Sequence, residues 1–358
     1  MKTTRFIWVA LAAATFATAA RAGETVTNRL TASLRFGLNI SARFTGSSAS
    51  LGAFGVTRTT PRGDTYNYDD GYVLTDVSGN EGDQTWYWGY DNSATHPAGQ
   101  ISDGVAFPAN TILFSRSTPN GTFTSPSMDH DPQPGVEVTY DRHLGTTHGV
   151  NYGVEVAGNF MAIFLRDNRP YSGTVTRTTD AYPFTPGTTP PGATPGDPYQ
   201  GSYDGFGFLL GATPVPGAST TAIVPGGFTI SGTRKLAADL WGMRLGPYLD
   251  APLGTNWNLW ISGGVAVGLL SAEATWSETI TLPGPTSLPS AGRGRDHDLL
   301  WGWYVSANLS WDFNDRWSAV VGVQFQDLGK YRHDFGGRTA ELDLSESIFV
   351  TIGLSRRF

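Results

Sequence analysis

The chain has 358 residues, with 45 Gly, 22 Pro, 11 Trp, 14 Tyr, 19 Phe and no Cys; 15% of it is charged and the formal charge is −7. Without cysteine there is no disulfide framework, thiolate metal site or cysteine nucleophile, and an acidic chain with no Lys/Arg cluster lacks the basic footprint that nucleic-acid phosphates require. Scarce charge, Gly at nearly double its usual share of about 7% and an ordinary 39% hydrophobic content exclude a bundle of membrane helices and suggest an all-β protein, one form of which has an outer face against lipid.

Lys2 and Arg5 precede the apolar run Phe6 to Ala14, and a small-residue stretch ends in Ala20-Arg21-Ala22. This is the three-part pattern of a secretory signal peptide over residues 1–22, with cleavage expected before Gly23. An anchor needs about 20 apolar residues, and Thr15, Thr18 and Arg21 interrupt this run. Removal of residues 1–22 leaves 21 basic against 31 acidic side chains, a charge of −10. No later segment offers about 18 uninterrupted apolar residues, so a mature chain (23–358) in a membrane must span it as a closed barrel, which satisfies every backbone group internally.

Period-two alternation then recurs along the chain. From Leu30 to Phe44, Leu34, Phe36, Leu38, Ile40 and Phe44 share one face, and Arg35, Asn39, Ser41 and Arg43 the other. A long connection over about residues 45–134 follows; its aromatic and turn-rich segments predict hairpins above a barrel, with Asp69, Asp70, Asp76, Glu81 and Asp83 kept out of lipid. Val136, Val138, Tyr140 and Leu144 lead through a turn at Gly145 to Gly149 into Val150, Tyr152, Val154, Val156, Phe160 and Phe164. The next connection, about residues 167–234, holds a Pro/Gly/Thr run, Tyr182 to Pro198, expected to be extended or mobile without ladder bonds. Trp241, Met243, Leu245, Pro247 and Leu249 then pair through Asp250 to Asn256 with Trp257, Leu259, Ile261, Val265, Val267 and Leu269. After a connection at 280–296 comes a hairpin with Trp301, Trp303, Val305, Ala307, Leu309, Trp311 and Phe313 facing one way, a turn at Asn314-Asp315, and Trp317, Ala319, Val321, Val323 and Phe325. These strands, with a last one after a connection at 333–340, number eight; two segments of the 45–134 connection joining the wall would make ten. Short turns alternate with long connections.

The last strand places Ile348, Val350, Ile352, Leu354 and the terminal Phe358 on one face, against Ser347, Thr351, Gly353, Ser355 and Arg357 on the other; Arg356 departs from the apolar face. Together with the signal pattern and the alternation from about residue 30 onward, this resembles bacterial outer-membrane β-barrel proteins of the small-barrel class. The resemblance implies a transmembrane antiparallel up-and-down β-barrel of eight strands (ten as the alternative) with a β-rich extracellular extension. It further implies outer-membrane lipid around the wall, barrel-insertion machinery reading Phe358, and both termini on the periplasmic side. Trp301, Trp311, Phe313 and Trp317 are then the interfacial aromatic girdle.

Alternation assigns Arg35, Arg43, Glu137, Asp141, Glu155, Arg244, Asn258, Tyr304, Asn308 and Gln324 to the lumen. Charges enclosed in so narrow a barrel must pair, which favours an internal salt-bridge plug over a porin-like pore. Asp76-x-Ser78-x-Asn80 begins like a calcium loop, but Tyr87 stands where the bidentate acid belongs, so a turn is the simpler reading and calcium the alternative. Asp296-His297-Asp298 and Asp129-His130-Asp131 are acid/base candidates, against which stands the plain reading of solvated loop residues. Trp86, Trp88 and Tyr90 share a face as a sugar-stacking platform or as hairpin packing. No cofactor, resident metal or nucleic-acid partner is expected, and the sequence leaves the extracellular ligand unidentified. The leading expectation is a non-enzymatic barrel with a plugged lumen whose surface loops serve interaction or envelope integrity. A narrow channel for small solutes and a rim hydrolase or lipid-modifying enzyme are the alternatives.

Overall fold

The computed structural model describes residues 28–47, 51, 65–75, 81–90, 100–102, 104–191, 199, 207–282 and 287–358. The expected signal peptide and the Asp76–Asn80 turn lie outside the described residues.

Eight strands form an antiparallel ring: β1 (Arg29–Leu38), β2 (Gln133–Thr147), β3 (Val150–Asp167), β4 (Ser219–Pro252), β5 (Trp257–Thr281), β6 (Ser287–Asp312), β7 (Trp317–Asp327) and β8 (Ser347–Arg357). Each pairs with its neighbours in sequence, and β8 returns to β1 with Arg29 opposite Arg357 and Leu38 opposite Ile348. Paired residues followed once round the ring from Leu30, through Tyr140, Val156, Leu245, Val265, Trp303 and Asp327, come back to β1 about ten residues further along. Such a stagger goes with strands tilted roughly 35–45°. Turns at 148–149, 253–256 and 313–316 lie at one end, here the lower, and the long excursions at the other.

Three strands run far past the ring. β4 has 34 residues, β5 25 and β6 26, against about 9–11 needed to cross a bilayer tilted. Their pairing continues up to Thr229, Thr281 and Ser287. The connections expected at 167–234 and 280–296 are correspondingly shorter, because the alternation of Ser, Thr and Gly there still builds strand. Above the ring, Tyr171–Pro183 pairs with the upper part of β4, and Thr111–Asn120 pairs with Tyr171–Pro183. These two strands, one from each of the long connections, extend the sheet above the ring. Tyr182, expected at the head of an unpaired run, is a buried strand residue opposite Ile112.

The other side of this extension is a smaller sheet. Ser41–Ser47 pairs with Arg338–Asp343, Thr122–Thr124 and Met128–Asp129, and Arg338–Asp343 pairs in turn with Lys330–Asp334. At the top, Thr65–Asn67, Gly71–Leu74 and Trp88–Tyr90 form a three-stranded cap. Its Tyr68, Trp88 and Tyr90 pack with Phe114, Tyr182 and Phe184.

The outer face of the ring is apolar. On β5 the outward positions run uncharged from Trp257 to Leu269, and in register with Leu269 stand Trp241 on β4 and Leu299 on β6. One row higher on the same face the partners are Asp239, Ser271 and His297. Trp241, Trp257, Trp303, Val265, Ile352 and Leu354 are each about half exposed or more, and Trp301 is 70% exposed.

Candidate functional site: the ring interior and the rim

Period-two pleating sends every second side chain of β1 to β8 inward, and the polar ones meet. Arg35 Nη1 lies 2.9 Å from Glu137 Oε2, and Arg244 reaches Glu137 Oε1 at 2.6 Å and Glu155 Oε1 at 2.8 Å. Tyr304 and Ser262 donate to the same Glu155 oxygen at 3.2 and 3.1 Å. Arg35 also donates to Gln326 at 2.7 Å and lies 3.6 Å from the centre of the Phe349 ring. Below this group, Arg29 bridges Asp141 at 3.0 Å and Asp250 at 3.2 Å with its guanidinium 3.7 Å over Trp260. All these ionic side chains are buried.

Of the expected lumen set, Arg35, Glu137, Asp141, Glu155, Arg244 and Tyr304 are brought together; Asn308 and Gln324 are buried beside them, and Asn258 donates to Asp312 near the lower end. Arg43 is a correction. Asn39 adopts φ +59, with its N–H donating to Asp131 at 2.6 Å and its side-chain amide donating to the Glu346 carbonyl at 3.0 Å. This kink shifts the phase by one residue, so Ile40, Ala42 and Phe44 turn inward. Arg43 turns outward, 49% exposed, onto Glu341 at 2.7 Å. Arg29 and Asp250 were missed at the strand ends, although extending the alternation from Arg35 and Arg244 by three more steps reaches both.

Above the ionic layer the interior is apolar, with Met161, Leu240, Leu270, Leu300 and Leu328 in one cluster with Phe44 and Phe349. Higher still, Arg234 meets Glu278 and Asp167 at 2.9 Å each, and Arg338 meets Glu278 at 2.7 Å. Burial works to raise the Asp167 carboxyl, but donation from Arg234 and Arg169 outweighs it and holds the group below the usual carboxylate range. Burial pushes the Tyr171 phenol up despite the nearby arginines.

The rim candidates separate. Asp296, His297 and Asp298 lie within β6, not in a loop, and neighbours along a strand face opposite ways. His297 points outward opposite Ser271. Asp296 Oδ2 instead lies 2.9 Å from His333 Nδ1 and accepts from Tyr331 Oη at 3.1 Å. A carboxylate facing Nδ1 leaves Nε2 as the ring nitrogen turned away from it, the side on which a general base would act. The contact also ties β6 to Lys330–Asp334, two strands with no backbone ladder between them among the described residues. In the other triplet, Asp131 holds the Asn39 N–H and the His130 carbonyl accepts from Gln133 at 2.6 Å, both structural roles.

Of the aromatic set, Trp88 and Tyr90 take the packing alternative, inside the core of the cap, and Trp86 is half-buried. Trp88 is fully buried, donates to the Phe208 carbonyl at 2.7 Å and lies 4.5 Å from the Tyr199 ring centre. Tyr90 donates to the Leu113 carbonyl at 2.6 Å. Trp301, Trp311, Phe313 and Trp317 all face outward. Phe358 is exposed at the lower end, its N–H donating to the Asn28 carbonyl at 3.0 Å, and the Arg356 guanidinium lies 5.7 Å from the Trp317 ring centre. Among the described residues no group of three His, Asp or Glu is placed to hold a metal ion.

No protein-family model matches the sequence, and no curated protein matches it. Among solved structures, the chain is similar to Ail, the attachment invasion locus protein of Yersinia pestis, at 8% identity and a TM-score of 0.28, over 93% of this chain and 99% of that one. It is also similar to the outer membrane protease OmpT of Escherichia coli, at 8% identity and a TM-score of 0.31, over 96% and 99%. A FadL homologue of Pseudomonas aeruginosa follows at 7% identity and a TM-score of 0.18, over 93% and 90%. These neighbours are bacterial outer-membrane β-barrel proteins.

Proposed function

We propose that this chain is an integral outer-membrane β-barrel with a filled interior, holding a tall β-extension above the bilayer for surface interaction or envelope integrity. The observation that carries this reading is the outer face. On β5 its uncharged run covers about 13 residues of tilted strand, enough for the roughly 25 Å apolar band of such barrels, and ends in one register step at Asp239, Ser271 and His297. Aromatic side chains border the band below at Trp257, Trp311, Phe313 and Trp317. In a soluble barrel these rows would leave an apolar surface far larger than monomers expose. The paired arginines and carboxylates, the leucine layer above them and the upper Arg234–Glu278–Arg338 group support a plug. Phe358 at the wall's lower end suits recognition by the insertion machinery.

Full-length protein refolded in detergent should migrate differently on a gel with and without boiling, and should give no resolved openings in a planar bilayer. Identical migration in both states would remove the barrel; steady unitary conductance would replace the plug with the channel.

The Asp296–His333 contact favours one narrower second reading, hydrolysis at the rim. A lipid or peptide cleavage lost on His333→Ala and kept on His297→Ala would establish it; no cleavage by the wild type excludes it.

A further inference from the structure

We propose that the ring interior holds one proton at neutral pH, shared between Asp141 of β2 and Glu155 of β3. The inference rests on the filled-interior reading above and deepens it. The two residues are direct cross-strand partners, and both face inward with no surface exposed. Partners so placed have Cβ atoms about 4.5–5.5 Å apart, and like charges there oppose each other.

Each carboxyl is engaged through one oxygen and idle through the other. Asp141 Oδ2 accepts from Arg29 Nε at 3.0 Å, while Oδ1 is buried without a protein donor. Glu155 Oε1 accepts from Ser262 at 3.1 Å and Tyr304 at 3.2 Å and lies 2.8 Å from Arg244 Nη1; its Oε2 is likewise buried without a donor. Unmet acceptors in an enclosed layer are costly. An O–H on one carboxyl, donating to the other, satisfies both at once.

The charge count asks for the same proton. Among the described residues the layer holds three cations, Arg29, Arg35 and Arg244, against four carboxylates, Glu137, Asp141, Glu155 and Asp250. Arg357 and Asp312 pair with each other at the lower end, and Tyr248, Tyr304, Gln324 and Gln326 bring no charge. His143, the next residue on this face of β2, is half-buried toward the lower turn. An uncompensated charge in so enclosed a layer is strongly destabilising. With one proton on the pair, Arg29 balances Asp250, Arg35 balances Glu137 and Arg244 balances Glu155. Asp141 is the nearer holder, because one donor faces it and three face Glu155. Asp250 suits the proton less: its ladder partners are Asn151 and Trp260, with no second carboxylate opposite, and its side chain is 12% exposed.

Infrared spectra of the full-length protein refolded in detergent, in D2O buffer near neutrality, test this. The spectrum of the wild type minus that of Asp141→Asn should contain the C=O stretch of a protonated carboxylic acid, and so should wild type minus Glu155→Gln. Glu341→Gln and His143→Gln, which remove groups outside the pair, should leave that stretch in place. Folding then takes up a proton that the unfolded chain gives away, so the urea midpoint of the wild type should fall as pH rises above neutral. That of Asp141→Asn, whose amide N–H replaces the shared proton, should stay level. An acid stretch missing from the wild type, or equally strong in both pair variants, overturns the proposal. So does a wild-type midpoint that stays level into alkaline pH, or one that rises with sodium but not choline chloride and no acid stretch, which would put a metal cation between the carboxylates. Gel migration with and without boiling verifies each fold. If neither pair variant folds, the wild type alone decides: its acid stretch should vanish over the pH range in which its midpoint falls, and a stretch that persists there overturns the proposal. Steady unitary conductance in a planar bilayer would remove the filled interior together with this inference; a silent bilayer without the acid stretch removes only the shared proton.

Discussion

Glu137 accepts Arg35 through one oxygen and Arg244 through the other, so its charge is shared by two buried guanidiniums. Glu137→Gln removes that charge, leaving Arg35 without its carboxylate and Arg244 with Glu155 alone. The expected loss is about 3–5 kcal/mol, read as a lower temperature for the gel-mobility transition or a lower urea midpoint. Arg43→Ala breaks an ion pair at 2.7 Å too, but an exposed one, and should cost less than about 1 kcal/mol. Alternation alone puts Arg35 and Arg43 in one class; the Asn39 kink separates them. At the rim, the alternation of β6 correctly denies Asp296 its sequence neighbour His297. It cannot supply His333, which arrives through the packing of a different strand.

The scale of the element explains why the strands were legible and their ends were not. A strand with one face apolar repeats every two residues, a local signal, and β5 and β6 show it across the band. Beyond the band the outer face turns polar while the inner face stays apolar, as at Ala272, Ala274 and Trp276, and the small, polar sequence there resembles loop. The change of solvent along one strand is testable. Val265→Arg, within the band, should cost roughly 2–4 kcal/mol or block assembly; Ser277→Arg, on the same face of β5 but higher, should change stability by no more than about 0.5 kcal/mol. Gly302 marks a close approach of another kind, since a Cβ there would lie 1.6 Å from the Asp327 carbonyl oxygen. Gly302→Ala should push β6 and β7 apart at the upper end of their ladder, visible as faster amide exchange at Trp303 and Asp327.

At the scale of the whole molecule, an apolar-coated ring carries an extension whose carboxylates face water and cations. In the extension, Asp334 is held low by the backbone N–H groups of Gly337 and Gly336. Asp343 is raised by burial but more strongly lowered by donation from Lys330 and Ser345, and Asp167 is lowered in the same way by its arginines. Carboxyls with folded pKa values below their unfolded ones contribute stability that is complete above about pH 4 and lost as pH falls through the folded values. Protease digestion of the refolded protein should therefore begin to cut the extension below about pH 4, while the proposed membrane-spanning ring stays intact. Equal sensitivity of the extension at pH 3 and pH 7 would contradict this.

By itself the sequence determined the all-β class, which face of the ring strands is apolar, and most of the ionic residues that meet inside. Each follows from a two-residue period or from the need of enclosed charges to pair. The tertiary structure alone decided the reversal at Arg43, the burial of Trp88 and Tyr90 as a cap core, and the partnership of Asp296 with His333. The physical reason is common to all three: a one-residue shift in a strand exchanges its faces, and register between strands distant in sequence is set by the assembled ladder, which no local period contains.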